Sequence, residues 1–172
     1  SAASDVYKRQ ILNLPEYIQD NWGSGEISHR YSYLADGTKM SIGDYENSGY
    51  QYAGSLVYSM DYGTVNSFES ASFGGGRIVG TVDDETEVRY FLTDHLGSVR
   101  AVVNSGCEVL ERNDYQPFGK RWVTPSMPVS DNRDHFNGKE DQVFIGDCLA
   151  DYGARCYNKL NGRWLAQDPQ AE

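Results

Sequence analysis

The chain has 172 residues and a formal net charge of -10, with a mean hydropathy of -0.61 and a pI of about 4.7. A chain this acidic lacks the basic face that neutralises nucleic-acid phosphates, and it is poorly suited to anionic membrane surfaces. No run of about 18 apolar residues occurs, so we predict neither a membrane span nor a nucleic-acid partner, and we attribute the charge to solubility.

Tyrosine and glycine dominate the composition, with 13 Tyr and 18 Gly against 5 Pro. Tyrosine favours strands and glycine supplies turns, so the composition predicts an all-β protein of short antiparallel hairpins. The cysteines Cys107, Cys148 and Cys156 form no Cys-x-x-Cys pair, so no zinc framework, metal site or cofactor is predicted. A bond between Cys148 and Cys156 and the redox compartment are both left open.

Residues 1–10 read Ser-Ala-Ala-Ser-Asp-Val-Tyr-Lys-Arg-Gln and resemble the translation of a transposase adapter used in DNA sequencing libraries. This match indicates a metagenomic origin and a native sequence that starts near Ile11. We expect residues 1–10 to be disordered and leave them out of fold reasoning.

Residues 11–42 predict the first hairpin unit. Residues 21–25, Asn-Trp-Gly-Ser-Gly, are typical of a turn. Residues 27–35 alternate with a period of two, which predicts a strand. The dipeptide Asp36-Gly37 then predicts a tight turn before a return strand at residues 38–42.

Residues 50–87 predict further strands. A strand pair at residues 50–58 is interrupted at Gly54, and the glycines at 74–76 lead into a strand at 78–82. These glycines lack the Lys-Ser/Thr pair and the helix that a phosphate-binding loop needs. The acidic residues 83–87 lack the spacing of an EF-hand, so they predict a turn and not a calcium site.

Residues 88–119 predict strands that end in a bend. Residues 101–103 and 107–112 form a hairpin through Asn104-Ser105-Gly106, and Pro117 predicts a bend at 116–119. Asp94, His95 and Ser98 could be assembled into a catalytic triad on paper. Adjacent residues of a strand point to opposite faces, so we expect Asp94 or His95 to satisfy backbone groups in a turn.

Residues 123–134 are predicted to form a loop without periodicity, and His135 follows it. No second candidate ligand lies near His135 in the sequence. We therefore interpret His135 as a packed ring and not as a metal ligand.

Three stretches together carry a family resemblance. Residues 149–169 read Leu-Ala-Asp-Tyr-Gly-Ala-Arg-Cys-Tyr-Asn-Lys-Leu-Asn-Gly-Arg-Trp-Leu-Ala-Gln-Asp-Pro, residues 90–100 read Tyr-Phe-Leu-Thr-Asp-His-Leu-Gly-Ser-Val-Arg, and residues 114–119 read Asp-Tyr-Gln-Pro-Phe-Gly. With them, residues 11–172 resemble the bacterial Rhs (YD-repeat) family in its Bacteroidetes form. The motif residues expected to be structural are Asp94, His95, Gly97, Ser98, Arg100, Pro117, Phe118, Gly119, Gly153, Gly162, Arg163 and Trp164.

The resemblance implies an architecture and a role. Residues 11–82 would be YD-repeat hairpins, and residues 83–172 would be an Rhs repeat-associated core region truncated before its end. Family members wrap a spiralling sheet into a hollow shell around a C-terminal polypeptide, often a toxin, so a piece of the spiral should have exposed edges. The implied role is structural and delivery-related, in a secreted or cell-surface polymorphic toxin located outside the cell or in its envelope. The implied partners are the remaining repeats and the cargo of the same polypeptide, with a target-cell surface as a further candidate.

The resemblance also implies an enzymatic alternative. The Rhs core is similar to an intramolecular aspartyl protease, in which two carboxylates share a proton and activate water to release the cargo. By motif position, Asp168 resembles one of these aspartates and Arg155 the supporting arginine. The second aspartate and the scissile bond would lie beyond Glu172, so the fragment itself is not expected to be an enzyme.

The sequence departs from the family where Tyr157-Asn158-Lys159 replaces Tyr-Asp-Pro. Asp168 and Arg155 also have a structural interpretation, as a turn that ends a strand and as a salt bridge of small energy. A third alternative is a binding module whose Tyr-rich strands contact carbohydrate or another cell, although tyrosines equally pack sheets.

Overall fold

Antiparallel strands and tight turns make up nearly all of the computed structural model, which describes residues 6–9, 14–19, 27–81, 83, 85–142 and 148–168. Among these residues the only helical element is a single 3-10 turn, Phe136–Gly138. The prediction of an all-β chain of antiparallel hairpins is therefore confirmed. By internal contacts the chain divides into two compact units, Ser1–Ser70 and Ala71–Glu172.

The first unit is a meander in which each strand is antiparallel to the next. Its strands are β1 (Val6–Arg9), β2 (Pro15–Gln19), β3 (Ile27–Tyr33), β4 (Lys39–Gly43), β5 (Gly49–Ala53) and β6 (Leu56–Asp61), and β7 (Thr64–Phe73) begins in this unit. Tyr31, Ile42 and Tyr50 stand opposite one another, and the first two are buried. Directly opposed side chains share a face of a sheet, so these residues form the core side. The predicted turn at residues 21–25 lies outside the described residues.

Strand β1 corrects one expectation. Residues 1–10 were expected to be disordered, but Val6–Arg9 is a strand that pairs with Pro15–Gln19. An edge strand presents unpaired backbone N–H and C=O groups, and these can recruit a neighbouring extended segment whatever its origin. The interpretation of residues 1–10 as non-native sequence stays a prediction.

One five-residue turn recurs along the chain, at residues 34–38, 44–48, 94–98, 104–108 and 116–120. In each turn the first N–H donates to the fifth carbonyl oxygen, and the fourth N–H donates to the first carbonyl oxygen. The fourth residue has a positive φ, and glycine fills this position at Gly37, Gly97 and Gly119. This is a type I turn followed by a left-handed residue. Asp36-Gly37 is therefore part of a longer turn than the dipeptide alone predicts.

The second unit contains the rest of the strands. They are β8 (Gly76–Gly80), β9 (Thr86–Thr93), β10 (Val99–Asn104), β11 (Val109–Arg112), the pair β12 (Asp114–Tyr115) and β13 (Arg121–Trp122), and a four-stranded sheet of β14 (Glu140–Asp141), β15 (Leu149–Asp151), β16 (Cys156–Asn158) and β17 (Arg163–Trp164). Strands β8 to β11 again pair in sequence order. The positions predicted for strands and turns in residues 88–119 agree with these bounds.

The covered face of the sheet β8–β11 combines a charged side chain with apolar ones, and the open face exposes apolar side chains. On one face Tyr90, Val103 and Val109 are aligned across the strands, and Tyr90 and Val109 are exposed. On the other face Val102 lies opposite Glu111, and both residues are completely buried. Fully buried carboxylates are rare unless they are paired, so the covered face must supply partners for Glu111.

Tyr62 provides a test of backbone strain. It has a φ of 46° in the turn between β6 and β7, and its side chain is 70% exposed. Because a Cβ atom disfavours this conformation by roughly 1–2 kcal/mol, we expect Tyr62→Gly to raise the free energy of unfolding. The flexibility of glycine in the unfolded chain offsets part of this gain, leaving about 0.5–1 kcal/mol.

The matched control is Tyr62→Ala, which removes the same ring and keeps the Cβ atom. Urea unfolding of the three proteins gives the comparison. If the free energy of unfolding rises equally in both variants, the gain comes from removal of the exposed ring and not from relief of backbone strain.

Candidate functional site

Four buried charged side chains form a continuous chain in the second unit. His135 Nδ1 lies 2.9 Å from a carboxylate oxygen of Asp141, and His135 Nε2 lies 3.1 Å from Glu111 Oε1. Lys159 Nζ donates to the other oxygen of Asp141 at 2.6 Å. Each of the four residues is at most 2% exposed. With His135 protonated, two carboxylates and two cations cancel, so the interior carries no net charge from them. We call these four residues the buried ion chain.

Polar neighbours complete the coordination of Glu111. Asn113 Nδ2 donates to Oε1 at 2.6 Å, and Ser130 donates to Oε2 through its hydroxyl at 2.7 Å. Arg121 Nε in turn donates to Asn113 Oδ1 at 2.8 Å. A buried carboxylate needs such donors because an unsatisfied charge in the interior is very costly.

These contacts shift two pKa values in opposite directions. Burial alone raises the pKa of Glu111, but hydrogen bonds from His135 and Asn113 outweigh burial and lower that pKa to about 2. Burial alone lowers the pKa of His135, but its hydrogen bonds with Asp141 and Glu111 outweigh burial and raise that pKa above its ordinary value. The geometry therefore favours a protonated His135 imidazole beside an ionised Glu111 carboxylate.

The Asp94 turn lies beside the buried ion chain. The Asp94 carboxylate accepts the N–H groups of Leu96 and Ser98 at 2.9 and 3.0 Å. Burial raises the pKa of Asp94, and these two backbone N–H groups more than reverse the effect and lower it. Gly97 holds the positive φ, 79°. Asp94 and Gly97 thus shape this turn together.

No Ser-His-Asp triad is assembled here. The carboxylate of Asp94 is used by backbone groups, His95 is exposed, and the buried hydroxyl of Ser98 accepts the N–H of Asn137 at 3.0 Å. The Ser98 contact also ties the turn to the segment that carries His135. A second contact does the same, since Val99 N–H donates to the His135 carbonyl oxygen at 2.9 Å.

The other motif residues bring distant parts of the second unit together. The ring of Phe136 lies against Gly119, and a Cβ atom on Gly162 would be 2.7 Å from the ring of Phe118. Tyr152 Oη donates to Asn137 Oδ1 at 2.9 Å. The two glycines are therefore needed for close approach as well as for their positive φ.

The remaining motif positions lie near the surface. Arg100 forms an ion pair with Asp114; Pro117 is exposed in its turn and Gly153 has a φ of 80°. Arg163 and Trp164 form the exposed strand β17. These positions are turns or surface contacts and do not converge on one cleft.

Arg155 and Asp168, the two candidate catalytic residues, do meet. Arg155 Nη2 lies 2.8 Å from Asp168 Oδ2, and the guanidinium stacks on Trp164 at 4.3 Å from the ring centroid. Tyr152 and Tyr157 pack edge-on against Trp164, with centroid distances of 5.0 and 5.3 Å. The side chain of Asp168 is 45% exposed, so water reaches its carboxylate. The aromatic cluster thus holds the Arg155 guanidinium against the Asp168 carboxylate.

The strand register excludes a disulfide between Cys148 and Cys156. Cys156 lies opposite Asp151, three residues along the chain from Cys148. At the rise of a β-strand this separation is roughly 10 Å, whereas disulfides need Cα atoms within about 7 Å. Cys107, Cys148 and Cys156 form no disulfide with one another in the described part of the chain.

Sequence reasoning did not find the buried ion chain. Glu111, Asp141 and Lys159 lie far apart in the sequence and match no motif of known spacing. His135 was interpreted as a packed ring, and the structure corrects this: it is buried as expected, but it bridges two carboxylates.

Within the described residues the structure contains no helix that could span a membrane. No group of three or more His, Cys, Asp or Glu side chains among these residues is arranged to hold a metal ion.

The fold has close counterparts among solved structures. The crystal structure of TcdB2-TccC3 superposes with a TM-score of 0.77 at 18% identity, a Photorhabdus luminescens Tc holotoxin pore with a mutation in TccC3 with 0.78 at 17%, and TcdB2-TccC3-Cdc42 with 0.76 at 19%. Each likeness covers 96% of this chain and 9% of the other chain. No protein-family model matches the chain, and no curated protein sequence is significantly similar. Identities this low establish the fold alone.

The shifted pKa values predict how stability depends on pH. Since folding raises the pKa of His135, its contribution is complete below the unfolded-state value near 6.5 and is lost as the pH rises through the folded-state value. Since folding lowers the pKa of Glu111 to about 2, its contribution is present above the unfolded-state value near 4.5 and is lost as the pH falls towards 2. We therefore expect the free energy of unfolding to be largest between the two unfolded-state values, at about pH 4.5 to 6.5.

Urea unfolding of the wild type and His135→Gln at about pH 5.5 and about pH 9 tests this expectation. In a Trp22→Phe background, which removes the tryptophan of the first unit, fluorescence reports on the second unit through Trp122 and Trp164. The wild type should lose stability at the higher pH and the variant should show a flatter profile. If the free energy of unfolding changes equally between the two pH values in both proteins, the pH dependence comes from groups other than His135.

Removal of Lys159 tests the pairing of Asp141. We expect Lys159→Met to destabilise the fold by about 3–5 kcal/mol, because it leaves a buried carboxylate with one cation fewer. The control Arg163→Met removes an exposed cation and should change stability by less than about 0.5 kcal/mol. If both variants unfold at the same urea concentration, the contact between Lys159 and Asp141 contributes no stability.

Proposed function

We propose that this chain is a wall segment of an Rhs (YD-repeat) shell, which encloses the C-terminal polypeptide of the same protein. The observation that carries the proposal is the likeness to TcdB2-TccC3, with a TM-score of 0.77 over 96% of the chain. The chain spans about a tenth of the length of that structure, 9%, so the whole protein supplies the remaining wall.

The local structure supports this role. Strands follow one another in sequence order within each unit, so further hairpins extend the sheet without rearranging it. The motif stretches that resemble the Rhs family contribute turns and contacts between segments, as a structural role requires. One structural neighbour is described as lacking a hypervariable C-terminal region, and by analogy we propose that the enclosed segment here is also variable.

We propose secretion or surface display as the setting of this shell. A toxin carrier acts on other cells, and the motif resemblance supports that assignment. The partners would be the other repeats and the cargo of the same chain.

The contact between Arg155 and Asp168 supports a second candidate function, autoproteolysis. An aspartyl dyad needs one ionised carboxylate and one protonated carboxyl around a water. Arg155 Nη2 lies 2.8 Å from Asp168 Oδ2, and the exposure of that carboxylate admits water. The second carboxyl group would come from another part of the complete protein.

One experiment on the complete reading frame tests both functions. The protein is purified and treated with a nonspecific protease, and its C-terminal segment is followed on a denaturing gel. An enclosed segment should resist digestion until the shell is unfolded in urea. Immediate digestion in native buffer would reject the shell.

The same gel, without protease, reports on autoproteolysis. Two bands in the wild type and one band in Asp168→Asn and Arg155→Ala are expected if Asp168 belongs to the dyad. Asp83→Asn, which changes an exposed aspartate in a turn, is the matched control and should cleave as the wild type does. A single band in every protein would reject autoproteolysis and would not affect the shell proposal.

A further inference from the structure

The short hairpin β12–β13 has one face fixed in the interior. Tyr115 and Arg121 stand opposite each other. Tyr115 Oη donates to the carbonyl oxygen of Val99 at 2.5 Å, and Arg121 Nε donates to Asn113 at 2.8 Å. Since Asn113 also binds Glu111, this face is anchored to the buried ion chain, and the hairpin is held as a rigid platform.

The opposite face of the hairpin is open to solvent. Asp114 and Trp122 stand opposite each other, so their side chains share that face. The indole of Trp122 is 59% exposed. Arg100 Nη2 contacts Asp114 Oδ1 at 2.5 Å, and this pair is also largely accessible to water. The Arg100 guanidinium is steadied by the Tyr115 ring, at 5.5 Å from the centroid.

This arrangement combines a flat apolar surface with hydrogen-bonding groups of both kinds. Arg100 offers several N–H donors and Asp114 offers acceptor oxygens. Their charges cancel, so the site has no electrostatic reason to select a charged ligand. An exposed indole favours a partner with one apolar face, because the ring is apolar while its single N–H is a donor.

We propose that Trp122, Asp114 and Arg100 form a binding site for a neutral sugar, with the C–H face of a pyranose ring on the indole. Neighbouring hydroxyl groups of the sugar donate to Asp114 and accept from Arg100. The acidic character of the chain, with a net charge of -10, disfavours nucleic acids and acidic glycans at the same place. This assignment is independent of the shell proposal, and it places the sugar site on an exposed tryptophan instead of on the Tyr-rich strands.

The test uses the intact 172-residue chain and an array of neutral oligosaccharides with terminal glucose, galactose, mannose or N-acetylglucosamine. The best binder is then titrated in solution by calorimetry. We expect Trp122→Ala to weaken binding on the order of tenfold or more, since a tenfold loss corresponds to about 1.4 kcal/mol of binding energy. Asp114→Asn should weaken binding by a similar factor, and Trp122→Phe should restore part of the affinity.

Tyr45→Ala is the matched control, because it removes an exposed aromatic ring from the first unit, far along the chain from the hairpin. Its affinity should equal that of the wild type, and circular dichroism should show that every variant is folded. A neutral ligand should also bind equally well at low and high salt.

Three outcomes would overturn the proposal. The first is that no oligosaccharide of the array binds to the wild type. The second is that binding survives in Trp122→Ala and Asp114→Asn. The third is that binding is confined to charged glycans added as a comparison set and disappears at high salt, which would indicate an electrostatic contact elsewhere.

Discussion

The second unit depends on one requirement, that two completely buried carboxylates must be neutralised. Glu111 and Asp141 come from different sheets, and His135 lies between them within hydrogen-bond distance of both. Because an uncompensated charge in the interior costs several kcal/mol, the strand that carries Glu111 and the sheet that carries Asp141 can be stable only when the His135 segment lies between them. The same requirement fixes the loop at residues 123–134, because the Ser130 hydroxyl of this loop donates a hydrogen bond to Glu111.

This requirement also explains the mixed polarity of the sheet β8–β11. A sheet with one covered face usually places its apolar side chains there. Here the covered face carries Glu111 beside Val102, and the open face carries Tyr90 and Val109. The charged contacts fix which segments pair with the sheet, since an apolar surface accepts many partners whereas Glu111 and Asp141 accept few. This pairing is selective because any arrangement that leaves Glu111 or Asp141 buried without a partner costs too much free energy. The pairing itself need not add much to the stability of the fold.

Sequence patterns predicted local structure well and interactions between distant segments poorly. The period-two pattern of β3 and the glycines of the turns are local signals, and both were found. Strand β7 was missed because its Ser, Asn and Glu residues have low strand propensity, and its neighbours' backbone groups hold it extended. Lys159 follows β16 in a stretch whose charge suggests exposure, yet it is almost completely buried. No window of neighbouring residues contains that information, because its partner Asp141 is 18 residues away. Arg155 and Asp168 were selected by motif position, and their catalytic role stays a prediction. The stacking of Arg155 on Trp164 was not predicted.

The agreement between strand order and sequence order has a kinetic consequence. Nearly every pairing within a unit joins a strand to the next one through a short turn, so the contact order of the hairpins is low and each can form early. A chain that emerges gradually, from a ribosome or a secretion channel, can therefore add hairpins one at a time to an existing edge, as repeat proteins do. The buried ion chain is the exception: its charged members Glu111 and Lys159 lie on segments far apart in the sequence. Its closure must wait until Lys159 has emerged, which makes it a late step in the maturation of the second unit, after the hairpins of β8 to β11 can already have formed.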